Sequence, residues 1–283
     1  MLKRSEFRIN VKYFAGLCLL ALLIAIYSYL TQFRSYEHVN VIDPLITQKC
    51  AQYAKKSNID LTEYESGVVR RVGFFLMGTG KYIKLTDQLI TSMEAHFCTD
   101  PRMPVYVHYF IITDEKSYSP KLASNSNSKL HRNYSLIYQK QMEWPYSTLL
   151  RFEIIVKNFG ELGFNTFDYL YWLDGDMKMV APVCEDIFGD LVATMHPHYY
   201  MSDHAYPYES SNVKSRAYVD QRHRYENRYY VGAFFGGSPL EMCMLLMTCH
   251  QNIQYDYNTL DGFIARVHDE SHLNRLEKNI HNF

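Results

Sequence analysis

The sequence lacks both a basic block and a paired-cysteine motif. Its formal net charge is -1 over 283 residues, so a nucleic-acid partner has no electrostatic support. No CxxC pair occurs among its six cysteines, which argues against a structural zinc site. Charged residues make up 21% and hydrophobic residues 47%. This ordinary globular balance argues against a disordered chain.

The cysteines leave the disulfide pairing open. Cys18 lies in an apolar run and is interpreted as a simple hydrophobic residue. The others are odd in number, so a complete set of disulfides cannot be derived from them: Cys50, Cys98, Cys184, Cys243 and Cys249.

Residues 13–30 are apolar and carry no charge, and a helix of this length roughly crosses a bilayer core of about 30 Å. Basic residues precede the run at Lys3, Arg4, Arg8 and Lys12, whereas only Arg34 follows it closely. The positive-inside rule then predicts a cytosolic tail at 1–12, a signal anchor at 13–30, a polar stem at 31–66 and a lumenal domain at 67–283. A cleaved signal peptide is the alternative, but no A-x-A site follows.

The lumenal placement agrees with a glycosylation sequon that begins at Asn133 and reads N-Y-S. A sequon of this kind predicts an attached glycan on a lumenal or secreted surface. The pattern is short, so it supports the topology without establishing it.

The region from residue 68 onwards alternates between strand and helix patterns. Strands are predicted at 68–77, 105–113 and 167–173, with helices at 82–96 and 147–159. Near-continuous apolar strands suit a sheet that is covered on both faces. We expect a single α/β domain that binds ligands at the carboxyl ends of its strands.

An acid pair, Asp174 and Asp176, follows one of these strands directly. Two carboxylates separated by one residue can seat a hard divalent cation, which fills its other positions with water and phosphate oxygens. Such a cation can neutralise the charge that develops on a diphosphate leaving group. An ordinary acidic turn is the alternative.

A second polar run, HDESHLN, occupies residues 268–274. Glu270 is a candidate for attacking or stabilising an oxocarbenium-like sugar centre. The alternative is a solvated turn or a helix start in which Asp269 or Ser271 serves as the cap. The spacing does not choose between them.

Glycines cluster in the stretch YYVGAFFGG, at Gly232, Gly236 and Gly237. Small residues here allow a backbone to approach a ligand closely. A bulge or tight turn in a strand is the alternative, and for this stretch alone it is favoured.

Together these stretches resemble glycosyltransferase family 6. The matching phrases are DYLYWLDGDM, MHPHYY, YPYE, RAYV, YYVGAFFGGSP and HDESHLN, which occur in order between about Gly73 and Asn274. The resemblance implies a GT-A fold, which is a single Rossmann-like α/β catalytic domain, on a single-pass type II protein of the Golgi membrane. It also implies retaining transfer of galactose or N-acetylgalactosamine, in α-linkage, from a manganese-bound UDP-sugar to a glycan acceptor on a glycoprotein or glycolipid.

The resemblance further implies roles for individual residues. Asp174 and Asp176 correspond to the Asp-x-Asp pair that binds Mn²⁺ and the UDP-sugar. Glu270 corresponds to the carboxylate on the reacting face, which also contacts the acceptor. The other implied roles are donor binding by Tyr82, Arg151, Asp269, Val231, Gly232 and Ala233, acceptor binding by His196, and a loop over the site that carries Trp144.

Val231, Gly232 and Ala233 occupy the positions that separate galactose from N-acetylgalactosamine in this family. A galactose-using member carries Met-Gly-Ala there, and the methyl group of Ala233 would crowd an acetamido group. The triplet therefore favours galactose, although one contact of methylene size discriminates by only about 1–3 kcal/mol.

Some positions depart from the family pattern. Gly175 stands where valine is usual, which predicts a looser acidic turn, and Met77 replaces a phenylalanine beside the uracil. The chain also stops at Phe283 without the family's C-terminal segment, which excludes water and completes the cation set at the diphosphate. These departures motivate an alternative, a membrane-anchored pseudo-transferase that binds UDP-sugar or glycan without transfer. A metal-dependent hydrolase is a weaker third hypothesis.

Overall fold

The structure is a computed structural model, and it describes residues 43–54, 70–100, 102, 105–122, 131–200, 205–220 and 228–280. The strands are β1 (Arg70–Met77), β2 (Val105–Thr113), β3 (His131–Tyr138), β4 (Tyr169–Asp174), β5 (Leu191–Met195) and β6 (Tyr230–Gly237). The helices are α1 (Pro44–Ala54), α2 (Ile83–His96), α3 (Tyr146–Leu149), α4 (Arg151–Asn158), α5 (Pro239–Thr259) and α6 (His268–Ile280).

The six strands form one mixed sheet in the order β3-β2-β1-β4-β6-β5. The first four are parallel, with Met77 of β1 opposite Asp174 of β4. β6 runs antiparallel to both β4 and β5. The carboxyl ends of β1, β2 and β4 therefore meet at one edge of the sheet, and the predicted α/β architecture is confirmed.

Both faces of the sheet are buried, which explains why its central strands are apolar at nearly every position. Within β1, Phe75 packs into a core cluster together with residues of α1, α4, α5 and α6. Its neighbours Phe74 and Leu76 point to the other face and pack with residues of α2. Successive side chains of a strand alternate between faces, so two cores share one strand.

Helix α1 changes the predicted domain boundary. Residues 31–66 were assigned to a stem, but Ile46 and Cys50 of this helix are buried in the main core. A disulfide joins Cys50 to Cys243 of α5. The stem assignment is therefore wrong for 44–54. The exposed surface of α1 is mixed and includes Leu45, and two core-facing residues four positions apart are a weak signal.

A second disulfide links Cys98, just after α2, to Cys184 in the segment between β4 and β5. Cys249 is buried and is not in a disulfide. The pairing that cysteine number left open is thereby resolved for the described cysteines.

Within the described part of the chain, no helix combines the length and the apolar character needed to cross a bilayer. The predicted tail at 1–12 and signal anchor at 13–30 lie outside the described residues. They stay predictions, as does the part of the predicted stem that α1 does not include.

Candidate active site

The acid pair lies at the shared carboxyl edge of the sheet. Asp174 is the last residue of β4, and Asp176 follows two residues later with an exposed side chain. The indole Nε1 of Trp172 donates a hydrogen bond to Oδ1 of Asp174 over 2.7 Å. This bond orients one oxygen of the carboxylate towards the sheet.

The turn that carries the acid pair is tight. A Cβ on Gly175 would lie 2.6 Å from the carbonyl oxygen of Met77 and 2.8 Å from Oγ1 of Thr86. The prediction that Gly175 loosens the turn is therefore wrong. Glycine is needed here because the end of β1 and the buried Thr86 fill the space that a side chain would take.

Arg151, the first residue of α4, connects the acid pair to the second polar run. Its Nη1 lies 3.0 Å from Oδ1 of Asp174, and its Nη2 donates to Oδ2 of Asp269. The guanidinium is buried and lies 4.9 Å from the ring centroid of Trp172. A planar guanidinium can contact two carboxylates at once, so Arg151 holds β4 and α6 in one arrangement.

The two carboxylates that contact Arg151 differ in exposure, since the side chain of Asp269 is 6% exposed and that of Asp174 is 37% exposed. Burial raises the pKa of Asp174, while the charge of Arg151 and the hydrogen bond from Trp172 partly offset the rise. Burial likewise raises the pKa of Asp269, against the charge of Arg151 and with the charge of Glu270 adding to the rise. Added positive charge at this site would favour the ionised form of both acids.

Glu270 lies beside the same cluster and is held by β6. The backbone N–H of Gly232 donates to Oε2 of Glu270 over 2.8 Å. A Cβ on Gly232 would lie 2.5 Å from Nη2 of Arg151 and 3.4 Å from Oδ2 of Asp269. Gly232 thus permits a close approach of the strand to the charged side chains.

The other two glycines of β6 have a different role. A Cβ on Gly236 would lie 2.2 Å from the carbonyl oxygen of Leu170, and one on Gly237 would lie 1.9 Å from that of Asp190. At these two positions the backbone of β6 packs directly against the neighbouring backbone. The alternative favoured for this stretch was a bulge or tight turn, but Gly236 and Gly237 pair in regular register with β4 and β5. The irregular register against β5 falls between Phe235 and Tyr230, the segment that contains Gly232.

The polar run at 268–274 begins helix α6, and the interpretation as a solvated turn is wrong. Asp269, Ser271 and Asn274 are all less than 5% exposed. Oγ of Ser271 accepts a hydrogen bond from the N–H of Val267 over 2.9 Å. Asp269 and Ser271 both lie inside the first turn, so the predicted helix start is confirmed, whereas neither residue precedes the helix as an N-cap does.

Three further predicted residues differ in their exposure and in their contacts. Trp144 is 71% exposed, and its ring centroid lies 4.5 Å from that of His268, the first residue of α6. His196 follows β5, and its ring centroid lies 5.9 Å from that of Tyr229. Tyr82 is 51% exposed, at the end of the turn Gly80–Tyr82 after β1. Trp144 and His196 thus contact residues next to the cluster, and the ligand contacts of all three residues stay predictions.

Asn133 lies outside this cluster. It is exposed on β3, the edge strand that β2 and β1 separate from β4. Its glycosylation stays a prediction.

Sequence reasoning missed Tyr229, which precedes the first residue of β6. Burial raises the pKa of its hydroxyl, and the charge of Glu270 raises it further. Among the described residues the hydroxyl has no hydrogen-bond partner of standard geometry, although it lies close to Glu270. Its place beside the glycine stretch was the available signal, but tyrosine is too common in strands to single it out.

The residues at the acid pair fit a cation whose other ligands are water and phosphate oxygens and not protein side chains. In the described ranges no group of three or more His, Cys, Asp or Glu side chains is arranged as metal ligands. Two carboxylates suffice for a hard cation that completes its shell with water and phosphate. Oδ1 of Asp174 already accepts from Arg151 and Trp172, so Oδ2 is the oxygen that such a cation would use.

A mixed α/β sheet that ends in an acid pair, with further carboxylates delivered by a helix, is consistent with a GT-A-like glycosyltransferase. Residues 53–279 match the family model for Glycosyltransferase family 6. The chain belongs to this family, so the resemblance identified from its motifs is confirmed.

Curated relatives agree with this assignment. The chain is 31% identical to the human globoside alpha-1,3-N-acetylgalactosaminyltransferase 1 over 72% of its own length and 56% of that protein. It is 32% identical to the histo-blood group ABO system transferase 1 of Rattus norvegicus over 72% of its length and 56% of the relative. It is 26% identical to the O-antigen biosynthesis glycosyltransferase WbnI of Escherichia coli over 72% of its length and 80% of that protein. The chain thus spans little more than half the length of the vertebrate relatives it matches.

Proposed function

We propose that the protein transfers galactose, or N-acetylgalactosamine, from a UDP-sugar to a glycan acceptor with retention of anomeric configuration and with Mn²⁺ as cofactor. The observation that carries this proposal is the side-chain cluster in which Arg151 joins Asp174 to Asp269 while Gly232 holds Glu270 beside them. Membership of a glycosyltransferase family supports hexosyl transfer as the reaction class.

Each part of the cluster has a task in this reaction. Asp174 and Asp176 would hold the cation, which neutralises charge on the diphosphate as the sugar departs. Glu270 would face C1 of the sugar, either as nucleophile or as the charge that stabilises an oxocarbenium-like centre. Arg151 fixes Asp269 and Asp174 relative to one another, so that the donor is presented in one orientation.

Galactose is the favoured donor sugar, because Ala233 presents a methyl group where an acetamido group would need room. Ala233 is half-buried on β6, one residue after Gly232. We expect Ala233→Gly to raise the use of UDP-N-acetylgalactosamine relative to UDP-galactose by roughly tenfold, the scale of one methylene contact. Competition between the two donors in one reaction measures this ratio, and an unchanged ratio would remove Ala233 from the specificity argument.

The acceptor is proposed to bind near His196, and the protein to act at the Golgi membrane with its catalytic domain in the lumen. His196 supports the first point because it lies beside Tyr229, which in turn borders Glu270. Glycosylation at Asn133 would support the second. A mobility shift on glycosidase treatment, absent in Asn133→Gln, would detect that glycan.

The function is tested with the full chain and a panel of glycan acceptors, with either UDP-sugar, with and without Mn²⁺. We expect transfer that needs the cation and falls at least about a hundredfold in Asp176→Asn and in Glu270→Gln. Glu161→Gln serves as the matched control, since Glu161 is an exposed carboxylate that contacts none of the cluster.

The outcomes separate the alternatives. Full transfer by both acid variants would reject the assigned roles. UDP binding by calorimetry without transfer to any acceptor would favour a pseudo-transferase. Donor hydrolysis that needs no acceptor would instead indicate a metal-dependent hydrolase.

A further inference from the structure

Strand β6 extends beyond its pairing with β4, and the stretch that β4 does not pair carries Val231, Gly232 and Ala233. The pairing with β4 joins Leu170–Leu173 to Phe234–Gly237 only. On the other side, the N–H of His196 donates to the carbonyl oxygen of Tyr229 over 2.7 Å. Successive residues of a strand direct their backbone groups to opposite sides, so Tyr230 and Gly232 point to the side that β4 has vacated.

Helix α6 supplies the missing partners from two side chains one turn apart. Oδ1 of Asn274 accepts from the N–H of Tyr230 over 2.8 Å, and its Nδ2 donates to the carbonyl oxygen of the same residue over 2.8 Å. One turn earlier, Oε2 of Glu270 accepts from the N–H of Gly232 over 2.8 Å. Residues four apart share one face of a helix. This face of α6 therefore continues the hydrogen bonding along β6 beyond the point where the pairing with β4 ends.

The Asn274 amide also stabilises the helix that carries Glu270. Its Nδ2 lies 2.9 Å from the carbonyl oxygen of Glu270, in addition to its contact with Tyr230. Asn274 is only 2% exposed. The side chain therefore uses both its donor group and its acceptor in a place that water does not reach, where leaving either unpaired is costly.

We infer that Asn274 is a positioning residue that sets the register between α6, which carries Asp269 and Glu270, and the segment of β6 that carries Val231 and Ala233. This inference rests on the proposed function, because the register matters through the alignment of Glu270 with the sugar. The hydrogen bonds of the Asn274 side chain go to Tyr230 and Glu270 and not to the acid pair or Tyr82, so we expect it to act on alignment and to leave nucleotide binding in place. A displacement of about 1 Å at a reacting centre can lower a rate by about a hundredfold.

The most informative substitution is Asn274→Asp. It keeps the acceptor for the Tyr230 N–H but replaces the amide donor by an oxygen that faces two carbonyl oxygens. Asn274→Ala removes all three hydrogen bonds. Asn252→Ala is the matched control, since Asn252 is a 3% exposed asparagine in helix α5 whose Oδ1 accepts from Arg216.

The test measures kcat, the KM of the donor, the ratio of transfer to donor hydrolysis, and the Kd of UDP. In Asn274→Asp we expect kcat to fall at least about tenfold, because Glu270 and the donor no longer align. For the same reason the ratio of donor hydrolysis to sugar transfer should rise. The KM and the UDP Kd should stay within about threefold. Asn252→Ala should keep the wild-type kcat and product ratio, even if its unfolding midpoint falls by as much as that of Asn274→Asp. Wild-type kcat and product ratio in Asn274→Asp would overturn the inference.

Amide hydrogen exchange gives a second readout that needs no activity. Tyr230 loses a direct partner in Asn274→Asp, but Gly232 does not touch residue 274. Faster exchange at Gly232 in Asn274→Asp, and not in Asn252→Ala, is expected if the helix face shifts as a unit. Unchanged exchange at Gly232 would mean that Asn274 satisfies Tyr230 alone, and the register role would fail. If the wild-type chain transfers no sugar, the proposed function fails, while the exchange measurement still decides the register.

Discussion

At the scale of single residues, backbone close contacts shape this site as much as charged side chains do. Gly175 lies under the end of β1, and Gly232 lies against the guanidinium of Arg151. Neither needs glycine for an unusual backbone angle; both need it because a Cβ has no room. Packing of this kind is decided by neighbours that are distant in sequence, so a motif comparison that expected a looser turn at Gly175 reached the opposite conclusion.

Gly175→Ala is predicted to destabilise the protein by about 1–3 kcal/mol, the usual cost of overpacking. The added methyl group would overlap the carbonyl oxygen of Met77, which belongs to the rigid end of β1 and cannot rotate away. Chemical unfolding measures the change. Gly160→Ala is the control, because a Cβ there would lie 3.4 Å from the ring of Tyr53, an ordinary contact. A similar loss in both variants would contradict the argument.

At the scale of elements, the sequence predicted the central strands but not helix α5, although that helix carries many buried residues. β1, β2 and β4 are apolar on both faces, and their positions followed from that pattern within two residues. β3 was missed, because only Ile137 of this edge strand is fully buried. The predicted helix at 147–159 is divided into α3 and α4, and the division makes Arg151 the first residue of α4.

The pairing of β2 with β3 includes a titratable contact. His108 of β2 bonds Tyr106 through Nδ1 and Ser135 of β3 through Nε2, at 3.0 and 2.9 Å. Burial, helped by the charge of Arg71, lowers the pKa of His108 from 6.5 to about 4. The unfolded chain therefore binds a proton that the folded chain resists, and stability falls as the pH drops from about 6.5 to about 4.

We predict that His108 accounts for a loss of about 2 kcal/mol in unfolding free energy between pH 7 and pH 4.5. His108→Gln retains hydrogen-bonding groups but cannot titrate, so its stability should vary with pH by that much less. Chemical unfolding at the two pH values measures the difference. His198→Gln is the control at an exposed histidine. The attribution to His108 is refuted if both variants keep the wild-type pH dependence.

At the scale of the whole molecule, the site is assembled from segments that lie far apart in the chain. Arg151 and Asp269 are 118 residues apart in sequence and share a buried contact. The motifs located these residues, but neither spacing nor composition could show that Arg151 would join them. That contact depends on how β4, α4 and α6 pack, which long-range burial decides. The hydrogen bonds of Asn274 arise in the same way.

The same long-range packing brings α1 into the α/β domain, and adjacent residues of this helix test it. Ile46 is 2% exposed in the main core, whereas Leu45 is 70% exposed. If α1 is part of the domain, Ile46→Ala should lower the free energy of unfolding by about 2–5 kcal/mol, the range for removing a buried aliphatic side chain. Leu45→Ala should change it by less than about 0.5 kcal/mol.

Thermal and chemical unfolding of the full chain measure both variants. Equal effects of the two substitutions would mean that α1 belongs to the stem and not to the domain. The disulfide between Cys50 and Cys243 extends the test, because it closes a loop of 193 residues between α1 and α5. Replacing both cysteines by serine should cost about 2–4 kcal/mol. In that double variant Ile46→Ala should still destabilise, since the helix packs through its own side chain as well as through the covalent link. A double variant indifferent to Ile46→Ala would mean that the disulfide alone retains α1.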